Sequence, residues 1–431
     1  MNHNRTISLL LVLLLCLGLS GCGGQTQAQS DTYEEGSDFQ FGQEGLSSSV
    51  TQVGEDGYYI LHNGYVYFLD EGTDTILPLC NRADCLHDRE TEEDKQESCN
   101  AYIGEDTYCD GIAYCNGWIY CIYSDPFEGE TLYRISDDGA QKEQVYQWDG
   151  ETLIEYWAVH RDVLYYCTHS YATEGGQVTE HYAVEALPLT GTLRQPKTIY
   201  EPSDELEVVT LGVFQAYGSY LYFQMIAYQP HEKEVTDDNY TDYMYCRTFV
   251  CRLTDGEIQE LTLPGMGDTD IIQGVTFWQD QILLTATDMT WQGDELLEHT
   301  TDYYLAELNG TNPEMVLEGI PAGDILRSDG SHLYQTNANV VAQGFAAEDE
   351  LYYKVYNADL EPVDTFTLPY DTYGTIAVGD PERQYTVYYT SREDENGEET
   401  EISWGVWRWD KSGIGNYQGG ELPLTEISYT G

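Results

Sequence analysis

A short unit recurs along most of the chain, in which a turn is followed by residues that alternate between apolar or aromatic and polar side chains. Two clear copies are Asn63-Gly64-Tyr65-Val66-Tyr67 and Asn116-Gly117-Trp118-Ile119-Tyr120. Related copies end at positions 165, 222, 283, 334 and 388, so the unit returns after roughly 50 residues. Because successive side chains of a strand point to opposite faces, this alternation predicts strands joined by tight turns.

A second hairpin alternates with the first along the chain. Its turns contain Asp138-Gly139, Asp255-Gly256 and Asn309-Gly310, each set between alternating runs. These dipeptides favour primed hairpin turns, because their residues accept the positive φ that such turns require. Each repeat therefore holds two hairpins, and four antiparallel strands in one repeat make up a β-propeller blade.

We therefore predict an all-β fold, a β-propeller of seven four-stranded blades, with six or eight as alternatives. The first blade has only three clear strands, Tyr58–His62, Tyr65–Leu69 and Thr75–Leu79. The C-terminal run 421–428 is a candidate for the missing strand, and pairing of the N- and C-terminal strands would close the ring without exposed edges. No stretch beyond the N-terminus shows a sustained helical period, so we expect almost no helix.

Residues 1–21 are typical of a lipoprotein signal peptide. Arg5 precedes an apolar run from Ile7 to Leu19, which is shorter than the about 20 apolar residues that a spanning helix needs. The run leads into Leu19-Ser20-Gly21-Cys22, which resembles the lipobox of bacterial lipoproteins. The resemblance implies that Cys22 is acylated and anchors the chain to the outer face of the cell membrane. Residues 22–50 predict a flexible acidic tether, and the propeller takes residues 51–431.

The outer hairpins carry a second resemblance. Tyr133-Arg134-Ile135 with its Asp-Gly turn, and Leu308-Asn309-Gly310-Thr311-Asn312-Pro313, resemble hairpins of propellers of the TolB and low-density-lipoprotein-receptor type. The chain as a whole resembles a group of uncharacterised propeller lipoproteins of Gram-positive anaerobes. This resemblance implies a propeller and a lipid anchor, and it brings no activity.

The charge balance restricts the partners. The chain has 18 lysines and arginines against 76 aspartates and glutamates, a formal net charge of −58. Such a surface repels phosphates, so we exclude nucleic acid as a partner and expect the membrane to be bound only through the lipid on Cys22.

Three cysteines and a histidine cluster in an insert at about residues 80–102, between the first and second blades. They are Cys80, Cys85, His87 and Cys99. Three thiols and one imidazole match the ligand set of a closed structural zinc site, but a disulfide suits an exported protein equally. Reduced thiols are a third interpretation, suited to an anaerobic setting. A metal here would stabilise the structure of the insert and would not be catalytic, because four protein ligands leave no open coordination position.

The other candidates are weaker. Cys121 and Cys167, next to tyrosines in predicted strands, are interpreted as small core residues. Tyr240, Tyr243 and Trp291 lie in two long insertions and are candidates for an aromatic ligand-binding surface. No motif supplies a catalytic residue. We therefore expect a non-enzymatic module that binds an extracellular protein, peptide or cell-wall glycan, with a sialidase- or lyase-like carbohydrate-active enzyme as the alternative.

Overall fold

The computed structural model describes residues 51–53, 57–104, 109–125, 129–174, 177–191, 194–203, 205–230, 243–266, 271–287, 291–292, 295–296, 300–321, 324–329, 331–337, 351–368, 383–393, 399–410 and 418–421. Nearly all of the regular structure in these residues is β-strand.

Six antiparallel sheets have four strands each. The first sheet is formed by β1 (Thr51–Val53), β2 (Gly57–His62), β3 (Tyr65–Asp70) and β4 (Thr75–Pro78). The second is formed by β5 (Cys109–Cys115), β6 (Trp118–Asp125), β7 (Gly129–Ser136) and β8 (Lys142–Gln147). The third is formed by β9 (Thr152–His160), β10 (Val163–Glu174), β11 (Gln177–Pro188) and β12 (Lys197–Tyr200). The fourth is formed by β13 (Glu207–Tyr217), β14 (Tyr220–Tyr228), β15 (Met244–Arg252) and β16 (Glu257–Leu261).

The remaining sheets follow in chain order. The fifth four-stranded sheet is formed by β17 (Ile271–Trp278), β18 (Gln281–Thr287), β21 (Thr300–Glu307) and β22 (Glu314–Pro321). The sixth is formed by β23 (Ile325–Ser328), β24 (Leu333–Thr336), β25 (Leu351–Tyr356) and β26 (Pro362–Leu368). A small hairpin and a three-stranded sheet complete the set, with β19 (Trp291–Gln292), β20 (Glu295–Leu296), β27 (Arg383–Glu393), β28 (Glu399–Asp410) and β29 (Gln418–Glu421).

The sheets are arranged as a β-propeller. In every four-stranded sheet each strand pairs with the next one along the chain, apart from the excursion through β19 and β20. The leading strands contact one another in sequence, from β1 to β5, β9, β13, β17 and β23, as strands near the axis of a propeller do. The predicted all-β propeller is confirmed, and the six four-stranded blades fall within the predicted range.

The tight turns have the predicted geometry. Asn63-Gly64 and Asn116-Gly117 both have positive φ at their two central residues, 46° and 72° in the first and 48° and 78° in the second. This is the signature of a type I′ turn, whose twist matches that of the flanking strands. The repeated unit therefore encodes both the strands and the reversal between them.

The first blade differs from the prediction in the source of its fourth strand. Thr51–Val53 pairs with β2 through residues 58–60 and completes the sheet from the N-terminal side. The missing strand therefore does not have to come from the C-terminal run, where Glu421 ends β29 and residues 422–431 lie outside the described part of the chain. Tyr67 and Tyr120 end their copies of the repeated unit. As a result of the extra strand, Tyr67 lies in the third strand of its sheet, whereas Tyr120 lies in the second.

Helix is confined to the insert, in the part of the chain that the structure describes. A single 3₁₀ turn spans His87–Arg89, and α1 spans Glu93–Glu97. The expected scarcity of helix is thus confirmed, but the short helix between the cysteines was not foreseen. No helix among the described residues has the length and apolar character needed to cross a membrane.

Apolar and tyrosine side chains fill the contacts between blades. Among the largest fully buried side chains are eight tyrosines and tryptophan Trp278. Four of the residues that end copies of the repeated unit are at most 1% exposed, namely Tyr67, Tyr120, Tyr222 and Leu283. The recurring aromatic position of the sequence is therefore a core position, where large rings fill the space between twisted sheets.

Candidate metal centre

The insert begins where β4 ends and runs over the edge of the first blade. Leu79 donates its backbone N–H to the carbonyl of Val66 at 2.8 Å, which continues the pairing of β4 with β3 for one more residue. The chain then turns, because the N–H of Cys80 bonds to the carbonyl of Pro78 at 2.7 Å. Cys80 is thus placed at the start of the insert by the last hydrogen bonds of the blade.

The fold brings all four predicted ligands together. The ligand atoms of Cys80, Cys85, His87 and Cys99 lie within 4.8 Å of one another. The Cys99 sulfur is 3.9 Å from Nδ1 of His87. Cys99 is fully buried, and the other three residues are half-buried. All three cysteines are free thiols, so no disulfide joins any two of them in this structure.

Each thiol accepts a hydrogen bond from the backbone N–H two residues further along. The N–H of His87 lies 3.3 Å from the Cys85 sulfur. The N–H of Arg82 donates to Cys80, and the N–H of Ala101 donates to Cys99. Hydrogen bonds of this kind stabilise a thiolate over a thiol, and the thiolate is the form that binds a metal. Three separate turns of the insert therefore prepare their sulfur atoms in the same way.

The thiols differ in how readily they ionise. Burial opposes ionisation of Cys80, but backbone N–H donors from Arg82 and Asn100, with the Cys99 and Cys85 thiols, outweigh it and lower the pKa of Cys80. Burial raises the pKa of Cys99 to about 12, against a smaller lowering by the N–H of Ala101. A buried thiol of this kind loses its proton readily only when a cation replaces it, which couples metal binding to proton release.

The imidazole of His87 is prepared as a neutral ligand. Burial lowers its pKa, with the opposing charge of Asp88 as the next contribution. A neutral imidazole has a free lone pair for a metal, whereas an imidazolium has none. The Tyr65 hydroxyl donates to the backbone carbonyl of His87 at 3.3 Å and holds this turn against the first blade.

The returning segment of the insert docks on the first blade. Val66 donates its N–H to the carbonyl of Ala101 at 2.9 Å, and Ile103 donates to the carbonyl of Gly64 at 2.8 Å. Tyr65 and Tyr102 form an isolated antiparallel bridge between these two bonds. Cys99 is therefore fixed two residues ahead of a backbone pairing to β3.

The opposite side of the insert contacts the second blade at the turn between β7 and β8. The carbonyl of Gly139 accepts the N–H of Asn81 at 3.1 Å and the side-chain amide of Asn100 at 2.9 Å. Gly139 has φ of +67°, and a Cβ there would lie 2.8 Å from the backbone N of Cys80. Glycine is needed at this position both for the left-handed turn and for the close approach of the insert.

Lys142, on β8, is the charged group of the second blade that reaches the insert. Its ammonium donates to the carbonyls of Glu97 at 2.9 Å and Tyr102 at 2.8 Å. Burial lowers its pKa, while the charges of Cys99 and Cys80 oppose that shift. The sequence reasoning missed Lys142 because it lies 43 positions after Cys99 in the chain, and the only hint was the scarcity of lysine and arginine, 18 in all.

These contacts determine what the cluster can do. Three sulfurs and one imidazole form a complete set of ligands for a tetrahedral ion and leave no coordination position for a substrate. The cluster can therefore hold a metal between two blades, but it lacks the open position of a catalytic metal site. The metal interpretation of the insert is supported in this general form.

The other cysteines sit in the blades. Cys115, Cys167, Cys246 and Cys251 are buried free thiols, which agrees with the interpretation of Cys167 as a small core residue. Cys121 is also a core residue, 1% exposed, but it is disulfide-bonded and therefore not a free thiol.

The remaining candidate site residues are not brought into a common site by the described residues. Cys22 and Tyr240 lie outside the described part of the chain. Tyr243 directly precedes β15, and its carbonyl accepts the N–H of Gln229 at 2.8 Å. Trp291 begins β19, which pairs with β20. The lipid site and the aromatic binding surface therefore stay predictions.

Comparison with known proteins identifies the fold and no family. No protein-family model matches the chain, and no curated protein matches it. Among solved structures it is similar to a puromycin-hydrolysing peptidase of Mycobacterium tuberculosis, with 12% identity, a TM-score of 0.50, and coverage of 93% of this chain and 58% of the peptidase. It is also similar to a PL25 ulvan lyase, with 10% identity, a TM-score of 0.47, and coverage of 90% of this chain and 96% of the lyase. A putative TolB of Agrobacterium tumefaciens is similar with 12% identity, a TM-score of 0.33, and coverage of 66% of this chain and 82% of the TolB.

The matching peptidases are longer than this chain. It spans 58% of the mycobacterial peptidase, 50% of a prolyl endopeptidase and 55% of a dipeptidyl peptidase 4 of Porphyromonas gingivalis. The propeller part of the resemblance found in the sequence is supported by the six four-stranded sheets.

The expected non-enzymatic binding function is contradicted by these neighbours. The cited structures that share the fold are named as peptidases and lyases, and not as modules that only bind. The expectation that the chain is not an enzyme is wrong for the same reason. With identities of 12% or less, the likeness itself shows the fold, so the reactions and substrates in those names belong to those proteins.

Proposed function

We propose that the insert binds one zinc ion and that this ion latches the insert across the first and second blades of the propeller. The observation that carries the proposal is the convergence of Cys80, Cys85, His87 and Cys99 within 4.8 Å. The three backbone N–H···S hydrogen bonds described above are an independent sign that these sulfurs serve as thiolates.

The donor set favours zinc over other common ions. Soft thiolate ligands select zinc, copper(I) or iron–sulfur clusters, whereas calcium, magnesium and manganese prefer oxygen ligands. A set of three cysteines and one histidine is typical of structural tetrahedral zinc. Zinc also has no redox chemistry, which suits a site that maintains structure.

The ion would add to the hydrogen bonds that already join the insert to the first and second blades. One side of the insert is tied to Val66 and Gly64 of the first blade, and the other is tied to Gly139 and Lys142 of the second. The helical parts of the insert contribute no core, since neither its 3₁₀ turn nor α1 buries a residue. Structural zinc contributes about 10 to 16 kcal/mol of binding free energy in small zinc-dependent folds, which is ample to order such a segment.

Metal analysis of the purified chain tests this proposal. The chain is produced in zinc-containing medium without a polyhistidine tag, and bound metal is measured by plasma mass spectrometry. We expect about one zinc per chain for a single four-ligand site, and a loss of that zinc in Cys85→Ala. The matched control is Cys167→Ala, which removes a free thiol buried in β10, far from the insert in sequence, and should keep the zinc. Wild-type protein without zinc, or a disulfide-linked peptide containing two of these three cysteines, would overturn the proposal.

We also propose that the mature protein is anchored to the outer face of the cell membrane by lipid on Cys22. The support is the apolar run ending in Leu19-Ser20-Gly21-Cys22. Metabolic labelling with an alkyne fatty acid should tag the wild-type chain and not Cys22→Ala. Equal labelling of both chains would exclude Cys22 as the acylated residue.

A further inference from the structure

We infer that Lys142 is the charge partner of the metal centre and sets how tightly the centre holds its ion; this rests on the zinc site proposed above. A centre of three thiolates, one neutral imidazole and a divalent ion carries one net negative charge. That charge lies on a protein whose formal net charge is already −58. A cation placed beside the sulfurs therefore favours the state in which all three are ionised.

The position of Lys142 meets this need. Its ammonium donates to the carbonyls of Glu97 and Tyr102, which lie two residues before and three residues after Cys99. The side chain thus spans the chain segment that carries the buried ligand. Both accepting carbonyls lie within three residues of Cys99, so the ammonium is held at the segment that carries this ligand.

Two other cations of the insert, Lys95 and Arg82, each pair with a carboxylate. Lys95 pairs with Glu92 at 2.8 Å on the exposed face of α1. Arg82 also donates to a carbonyl beside Cys99, that of Ser98, but it pairs with Asp84 at 3.3 Å, so part of its charge is already neutralised by a carboxylate. The ammonium of Lys142 donates to two backbone carbonyls, so its charge remains available to compensate the thiolates. It comes from the second blade, so it also links the charge of the metal centre to the ring.

The prediction is a loss of zinc affinity when the charge is removed. Outer-shell partners of metal sites typically contribute about 10- to 100-fold in affinity. We expect Lys142→Met to weaken zinc binding at least about 10-fold by that standard, and Lys142→Arg, which keeps the charge, to stay within about 3-fold of wild type. Lys142→Gln keeps a hydrogen-bond donor without the charge, and should behave like Lys142→Met.

The experiment measures zinc affinity by competition with a chromophoric chelator, together with the pH at which half of the zinc is released. Because up to three thiol protons compete with the ion, a 10-fold loss of affinity raises that pH by about 0.3 to 0.5 unit. The matched control is Lys95→Met, which removes the same charge from the insert at an ammonium that pairs with Glu92. Circular dichroism establishes that each variant keeps its β-sheet content.

The outcomes separate the two proposals. Weaker binding and a raised release pH in Lys142→Met and Lys142→Gln, with Lys95→Met unchanged and Lys142→Arg restored, support the assignment. Wild-type affinity in Lys142→Met overturns the role of Lys142 and leaves the zinc site intact. Equal losses in Lys142→Arg and Lys142→Met also overturn it, because charge would then not be the property that matters. A wild-type chain that binds no zinc overturns the site and this inference together.

Discussion

The sulfur of Cys99 lies 3.9 Å from Nδ1 of His87, although an acidic loop and helix α1 separate the two residues in the chain. This closeness is not produced by local geometry, since the segment between them has no buried residue in its helical parts. It is produced by the two blades, which hold His87 through Tyr65 and hold Cys99 through Ala101 and Lys142.

Removal of zinc is expected to destabilise the native chain. An ion that binds only the folded state at a hundredfold excess over its dissociation constant stabilises that state by about 3 kcal/mol. Scanning calorimetry should therefore show a lower melting temperature after treatment with a chelator. Cys85→Ala should melt at the same temperature with and without the chelator. An identical melting temperature for treated and untreated wild-type protein would count against the latch.

Gly139→Ala should disturb both the fold and the metal centre. The added Cβ would lie 2.8 Å from the backbone of Cys80 and Leu79, at a φ of +67°. Strain and overpacking of this kind cost on the order of 3 kcal/mol, and urea unfolding would measure the loss.

Gly256→Ala is the matched control for that variant. Gly256 has φ of +78° in an equivalent outer hairpin, but its Cβ would meet nothing within 4 Å. It should lose only the cost of the left-handed conformation, about 1 kcal/mol, and should keep its zinc. Equal losses in the two variants would show that the approach of the insert to Gly139 is unimportant.

His62 is expected to make the native state sensitive to acid. Burial lowers its pKa from 6.5 to about 4, so the unfolded chain takes up a proton at a higher pH than the native chain. The stability contributed by neutral His62 is complete above about pH 6.5 and is lost as the pH falls toward about 4, up to roughly 3 kcal/mol. Denaturant unfolding of wild type and His62→Gln at pH 7 and pH 4.5 measures this, and the variant should lose less stability.

His181→Gln is the control for the acid experiment. His181 is an exposed histidine on β11, so its removal should leave the acid loss of stability as in wild type. The interpretation fails if His62→Gln and wild type lose the same stability between the two pH values.

The residue that ends each copy of the repeated unit should contribute strongly to the free energy of unfolding. Leu283 on β18 is fully buried, and Leu283→Ala leaves a cavity that typically costs about 2 to 5 kcal/mol. Leu77 on β4 is 61% exposed, and Leu77→Ala should change stability by no more than about 0.5 kcal/mol. Urea unfolding of both variants tests whether the periodic residue of the sequence is the core residue of the blade.

The sequence by itself determined the blade and its turns. Alternation of side chains and the Asn-Gly turns are local properties, and a strand with one apolar face has to bury that face against another sheet. For this reason the hairpins at Asn63 and Asn116, and the burial of Tyr120 and Tyr222, could be predicted. The four candidate ligands could also be named, because thiols and imidazoles are conspicuous at short spacing.

Tertiary structure alone decided how those ligands meet and what supports them. Which strand completes the first blade depends on competition between segments far apart in the chain, and Thr51–Val53 takes that place. Cys99 reaches His87 only because the returning chain pairs with β3 at Val66, and Lys142 reaches it only because the next blade packs alongside. Long-range pairing of this kind leaves no periodic trace in the sequence, since each contact joins residues whose own neighbours give no sign of the partner.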